Sequence, residues 1–260
     1  DPQFSPLVAG EPLTLENPIS EGYQVLRRSA LPTLLEAVSF NLRRGAEAVR
    51  LFETGKIYSA VDEVEIVAVV LGGSLGTPWE GVSTLGFSEL KGMVEELFGS
   101  FDRRASFAVA EFAGLVVGTT AEILCDGRRV GMLGQVANAD SPYDLFAAEL
   151  LLEPLGRPPL PRVEVPSRYP GIAVDTTLEH PRRLAWAALA AEVDRLRPPE
   201  LREFGLKDRF EGEGVAQGHV RTTLWFSYQS GDRSLTQEEV NRAHAALTER
   251  LARRAAEDVG

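Results

Sequence analysis

Residues 220–251 read VRTTLWFSYQSGDRSLTQEEVNRAHAALTERL, and this stretch decides the fold of the C-terminal part of the chain. Val220 to Gln229 is dense in β-branched and aromatic residues, which predicts a strand. Thr236 and Glu239 then stand three apart, as in a capping box, with Leu235 and Val240 placed as the hydrophobic staple around it. Beyond them Val240, Ala243, Leu247 and Leu251 share one helical face. Working outward, Leu201 to Phe210 is a second strand, joined to the first by the glycine-rich connection Glu211 to Gly218. Trp186, Leu189, Val193 and Leu196 mark a helix that stops at Pro198-Pro199. Ile172 to Glu179 is a third strand. The order strand, helix, strand, strand, helix is a ferredoxin-like split βαβ without a clear final strand. Glu257 to Gly260 is too short and polar to supply one.

Prolines 154, 158, 159, 161, 166 and 170 punctuate the segment before this region, so it reads as an extended connector. It divides the chain into residues 1–161 and 162–260. In the first piece Leu31, Leu34, Leu35, Val38 and Leu42 form a helical stripe, with Pro32 accommodated in the first turn. Arg50 to Tyr58 reads as a strand. Val64 to Leu71 is a continuous apolar run of strand length, which implies cover on both faces. Leu90, Met93, Val94, Leu97 and Phe98 mark a second helix, with Gly99 as its stop. Ala121 to Val136 reads as a hairpin around the type I′ turn Asp126-Gly127, and Phe146 to Leu152 as a further strand. The fold class is α+β with a largely antiparallel sheet.

Against 38 acidic residues stand 27 basic ones, a net charge of −11, which excludes a protein that coats nucleic acid through bulk phosphate attraction. A focused contact with one folded RNA stays open. The single cysteine, Cys125, excludes an internal disulfide framework and suits a reducing, cytoplasmic compartment. No window holds the roughly 18 apolar residues of a membrane span, and no signal peptide is visible.

Catalytic patterns are weak. Gly72-Gly73-Ser74-Leu75-Gly76 matches G-x-S-x-G after a strand, but Thr77-Pro78-Trp79-Glu80 opens no helix, so a loop is the better assignment. A triad would need His180, His219 or His244, which share no metal-ligand spacing and are expected at the surface. Gly212, Gly214 and Gly218 miss the dinucleotide spacing and lie between two strands. Cys125 fits a small core residue, and Glu95-Glu96 and Glu238-Glu239 fit solvated helix faces.

Several ordered motifs resemble the β subunit of bacterial phenylalanyl-tRNA synthetases. Asn17-Pro18-Ile19-Ser20-Glu21 is similar to an Asn-Pro-Leu-Ser-Glu element, and Arg28-Ser29-Ala30-Leu31-Pro32-Thr33-Leu34-Leu35 to the helix start that follows it; Asn41 and Arg44 continue the match. Arg50-Leu51-Phe52-Glu53-Thr54-Gly55 resembles the family's Arg-Leu-Phe-Glu-x-Gly strand. Glu89-Leu90-Lys91-Gly92 resembles its Asp-Leu-Lys-Gly helix, and Gly131-Met132-Leu133-Gly134 its Gly-x-x-Gly hairpin. Pro166-Ser167-Arg168-Tyr169-Pro170, Asp175, Asp208, Gly212, Gly218 and Asp232-Arg233-Ser234-Leu235-Thr236 through Asn241 match the family's C-terminal domain. Val174 and Lys207 depart from the pattern, which has arginine and phenylalanine there.

The resemblance implies a C-terminal fragment of such a subunit: a class II synthetase-like, noncatalytic domain over 1–161 and a ferredoxin-fold anticodon-binding domain over 162–260. It implies a supporting role in ATP-dependent phenylalanine–tRNA ligation, in an α2β2 heterotetramer whose α subunit holds ATP and magnesium, with tRNA(Phe) as the second partner. No cofactor, metal or catalytic residue is expected in the fragment itself, and no membrane contact. Neither Phe-Arg-x-Glu nor Gly-x-Gly-x-Glu-Arg, the arginine patterns that clamp ATP phosphates, occurs. Leu31, Leu34 and Leu35, with Arg43 and Arg44 at the rim, are candidates for the subunit interface; packing on the chain's own sheet is the alternative. Arg168, Tyr169, Arg209, Phe210 and Arg221 are candidates for RNA contact; core positions for Tyr169 and Phe210 are the alternative. The competing functional expectation is a stand-alone RNA-binding or scaffolding paralogue.

Overall fold

The computed structural model describes residues 4–18, 24–76, 81–160 and 166–257. The chain divides into two compact units, Asp1–Pro161 and Arg162–Gly260. Four sequence features fall wholly or partly on residues outside those described: the Asn17–Glu21 element, Thr77 to Glu80, the connector at residues 161–165, and the last three residues.

The first unit is built on an antiparallel sheet. Helix α1 (Leu31–Leu42) precedes β1 (Ala48–Tyr58), β2 (Glu63–Leu75) and the short β3 (Ser83–Thr84). Helix α2 (Phe87–Ser100) leads into β4 (Ala105–Val109), β5 (Leu115–Cys125), β6 (Arg128–Val136) and β7 (Leu145–Leu151). The spatial order is β1-β2-β7-β6-β5-β4, with β3 paired to the end of β2. One face packs Leu31, Leu34 and Val38 of α1 against Val49, Ile57, Ile66 and Val70. The other packs Leu90, Val94 and Phe98 of α2 against Leu71, Ile123, Leu133 and Leu150. Cover on both faces is what the apolar run in β2 requires.

Asp126 and Gly127 have φ of 50° and 76°, so the β5–β6 turn is the primed turn that its sequence favours. Gly99, expected to stop α2, lies inside it, and the helix ends one residue later at Ser100. Gly72 to Leu75 is also not a loop: it continues β2 and pairs through Ser74 with Thr84. Gly73 is there for conformational reasons. Its φ is +87°, and a Cβ would run into the carbonyl oxygen of Glu47.

In the second unit β8 (Ile172–Pro181), β9 (Leu201–Phe210) and β10 (His219–Tyr228) form an antiparallel sheet in the order β8-β10-β9. Helices α3 (Trp186–Leu196) and α4 (Gln237–Glu257) pack on one face of it. Leu189, Val193, Val240, Leu247 and Leu251 meet Leu178, Leu224, Phe226 and Tyr228 there. The capping box at α4 is formed. Thr236 Oγ1 accepts the Glu239 N–H at 3.3 Å, and the Glu239 carboxylate accepts the Thr236 N–H at 2.8 Å. The Arg233 side chain, with that N–H, holds the Glu239 carboxyl down at about 2.

Candidate nucleic-acid interface

Strand β10 alternates strictly. Val220, Thr222, Leu224, Phe226 and Tyr228 are buried toward the helices, so His219, Arg221, Thr223, Trp225 and Ser227 project from the other face. Pairing extends this outer face into rows across the three strands. Glu179, Arg221 and Phe210 form one row, Thr177, Thr223 and Asp208 the next, and Asp175, Trp225 and Gly205 a third. Both helices belong to the opposite face, which leaves these rows without cover from any described element of the unit.

The side chains on this face already hold one another. Thr177 and Thr223 share a hydroxyl hydrogen bond at 2.9 Å. Arg221 pairs with Glu179 at 3.2 Å and donates to the Gly214 carbonyl at 2.9 Å. Glu179 accepts the Ala216 N–H at 3.1 Å, and that bond, with Arg221, holds its carboxyl below the usual range. Lys207 is the extra residue of a bulge, because Thr223 pairs with Asp208 while Leu224 pairs with Leu206. The bulge sends its ammonium across to Asp175. The departures from the family pattern at Val174 and Lys207 thus adjoin one ion pair.

The five RNA-contact candidates do not form one cluster. Phe210 and Arg221 are direct cross-strand partners, and Phe210 is 44% exposed, so it is not core. Arg209 pairs with Thr222 in the register, which turns it to the helix-side face; its guanidinium donates to the Arg182 carbonyl at 3.3 Å. Arg168 and Tyr169 precede β8, at the other end of the sheet, beside Gln229, whose Nε2 donates to the Tyr169 carbonyl at 2.7 Å. Tyr169 is 36% exposed, again not core. Arg168 is exposed and makes no hydrogen bond or ion pair with another described residue. Trp225, at the middle of the face, was absent from the candidates: strand alternation assigns its side, but not that the side stays bare.

Two histidines expected at the surface are buried instead. His244 lies between Thr176 at 2.5 Å from Nε2 and the Tyr228 hydroxyl at 3.1 Å from Nδ1, so one nitrogen donates and the other accepts. Burial lowers the His244 pKa and pushes Tyr228 up to about 12. His180 is satisfied by Thr222 at 2.8 Å and the Pro181 carbonyl at 3.0 Å. Both therefore serve the core of the second unit. Ser74 belongs to the first unit, which contains no histidine, so its own unit offers no histidine base for a serine nucleophile.

The interface candidates in the first unit divide in the same way. Leu31 and Leu34 are 0% and 5% exposed and lie in the chain's own core, so they have no surface left to offer a partner; the own-sheet alternative holds for both. Leu35 is partly buried and lines a groove of about 560 Å³ with Glu36, Ser39, Arg43 and the segment Val136 to Asp140. Arg44 folds back over the Phe40 ring, 3.4 Å from its centroid.

The N-terminus of α1 holds a group that no sequence signal marks. Glu149 on β7 is fully buried, and its Oε1 accepts the Ala30 N–H at 2.6 Å and the Ser29 hydroxyl at 3.2 Å. Ser29 Oγ in turn accepts the Leu31 N–H at 3.1 Å. A strand carboxylate thus does the capping that Ala30 lacks the side chain to do. Its Oε2 has no described partner. Burial raises the Glu149 pKa to about 7, against the lowering pull of the Ala30 and Ser29 bonds and the Arg27 charge. No periodicity marks a glutamate for burial inside the run LFAAELL.

These two units define the class first: the chain carries a ferredoxin-fold anticodon-binding domain, whose family model matches residues 167–258. The model of the phenylalanyl tRNA synthetase beta chain CLM domain matches residues 7–150, and the chain belongs to the phenylalanyl-tRNA synthetase β-chain family. It is 35% identical over 245 residues to a phenylalanine–tRNA ligase beta subunit of Xanthomonas campestris pv. campestris, covering 87% of this chain and 30% of that protein. It is 32% identical over 241 residues to the same subunit of Xylella fastidiosa, with the same two coverages. The chain therefore spans under a third of the length of these relatives. Among the described residues no helix is long and apolar enough to cross a membrane.

Proposed function

We propose that this chain is the part of a phenylalanine–tRNA ligase β chain that supports the α chain and touches the tRNA(Phe) anticodon, in the cytoplasm and without chemistry of its own. The observation that carries this is the bare outer face of the β8-β10-β9 sheet, in a domain whose family is described by anticodon binding. Unpaired loop bases are held by stacking on aromatic rings and by hydrogen bonds to their edges. Phe210, Trp225, Arg221 and the Thr177–Thr223 pair offer these groups along one face, with Arg168 and Tyr169 at its far end.

The first unit has the character of a class II synthetase-like domain kept for support. Its sheet is antiparallel with helical cover on both faces, and neither Phe-Arg-x-Glu nor Gly-x-Gly-x-Glu-Arg occurs in the sequence. ATP and magnesium belong to the α chain in this scheme, within an α2β2 assembly. The partly exposed side of α1, with Leu35, Arg43 and Arg44, is the surface offered to that chain.

The test is reconstitution. The complete β polypeptide containing these residues is co-expressed with an α chain, and phenylalanylation of tRNA(Phe) is measured against the α chain alone. Formation of a stable complex with restored activity is expected. Adenylate formation by this 260-residue chain without a companion would refute the scheme, and failure to associate with any α chain would favour the stand-alone paralogue.

A further inference from the structure

The centre of the outer face is a ring laid flat on the sheet. A Cβ built on Gly205 would sit 2.6 Å from Nε1, 3.0 Å from Cε2 and 3.2 Å from Cζ2 of Trp225. The indole of the central strand therefore lies across the neighbouring strand, over the one residue type that leaves room for it. The φ of Gly205 is not in the left-handed region, so space, not backbone conformation, is what glycine provides here. The ring is partly exposed.

The charged groups around the ring leave no surplus of positive charge. Lys207 is matched by Asp175 and Arg221 by Glu179, and Asp208 adds a negative charge to the adjacent row. A face of this kind gains little from phosphates. What it offers is an aromatic surface beside hydroxyl groups.

We propose that Trp225 is the stacking platform for one unpaired base of the bound RNA, with Gly205 acting as a positioning residue that lets the indole lie down. This rests on the assignment of the sheet as an RNA-contacting face. Specificity for single-stranded over paired RNA follows, because a base already stacked in a duplex cannot cover the ring.

Binding of the 260-residue chain to fluorescently labelled tRNA(Phe) is followed by anisotropy. Emission of Trp225 is recorded in a background carrying Trp79→Phe and Trp186→Phe. The expected results are saturable quenching of Trp225 at the same RNA concentrations that saturate the anisotropy, and an affinity loss of roughly 5- to 150-fold for Trp225→Ala, the range for removing one base–aromatic stack. Trp225→Phe keeps most of the affinity, and thermal melts of all variants check folding; if Trp225→Ala does not fold, the quenching and Trp225→Phe decide. RNA that binds with Trp225 emission unchanged overturns the platform and leaves the RNA-contacting face standing. RNA that does not bind the unsubstituted chain overturns both.

Discussion

Replacing Glu149 with glutamine changes how the first unit's stability depends on pH, and the size of the change follows from the geometry at the start of α1. The carboxyl is fully buried, and only one of its oxygens has hydrogen-bond partners among the described residues. Its pKa stands at about 7, raised by burial from an ordinary 4.5. Below the ordinary value both folded and unfolded states hold the proton. Between the two values only the folded state holds it. Stability from this group is therefore fully present below about pH 4.5 and is lost as pH rises through about 7. A gap of this size corresponds to roughly 3 kcal/mol. Glutamine keeps an oxygen for the Ala30 N–H and the Ser29 hydroxyl, and leaves its amide group where Oε2 has no partner, at a cost of about 1–3 kcal/mol. The variant should be the weaker protein at about pH 5 and should draw level with, or pass, the parent by about pH 8. Denaturant melts of both proteins across this range measure the difference directly. Parallel stability curves, with the same gap at both ends, would refute the account of Glu149 as a protonated cap.

The second unit titrates in the opposite sense. Burial depresses His244, so its contribution is present above the unfolded value near 6.5 and is lost as pH falls through the folded one; His244→Gln should flatten the acid limb of that unit's melting curve. Thr236→Ala removes the acceptor for the Glu239 N–H and should cost about 1 kcal/mol, read from the same melts. Arg168→Ala should weaken tRNA binding without altering the melt, and unchanged affinity in filter binding would remove Arg168 from the contact surface. Because Lys207 and Arg221 on the outer face are paired with carboxylates, a plot of log affinity against log salt should be shallower than about −2, fewer than about three phosphates at ~0.7 each; a steeper slope would mean that phosphates, not bases, hold the RNA.

The elements were largely legible because their signals are local. The capping box at Thr236, the Asp126-Gly127 turn and the α1 stripe each depend on residues close in sequence, and each forms at the expected place. The site was less legible, because it depends on register. Arg209 and Phe210 are adjacent in sequence and point to opposite faces, and the bulge at Lys207 shifts the pairing between them and Leu206. A polar residue in an apolar run has the same sequence signature whether it faces water or a helix terminus, which is why nothing in the sequence sets Glu149 and the two buried histidines apart. Ser74 shows the converse: its glycines match a catalytic pattern, yet Gly73 serves close backbone approach.

The central claim is that RNA meets the bare sheet face and not the helices. A photoreactive benzoylphenylalanine placed at Thr223, in the middle of that face, should crosslink to tRNA(Phe) on irradiation, while the same group at Glu249 on α4 should not. Crosslinks from Glu249, with none from Thr223, would contradict it.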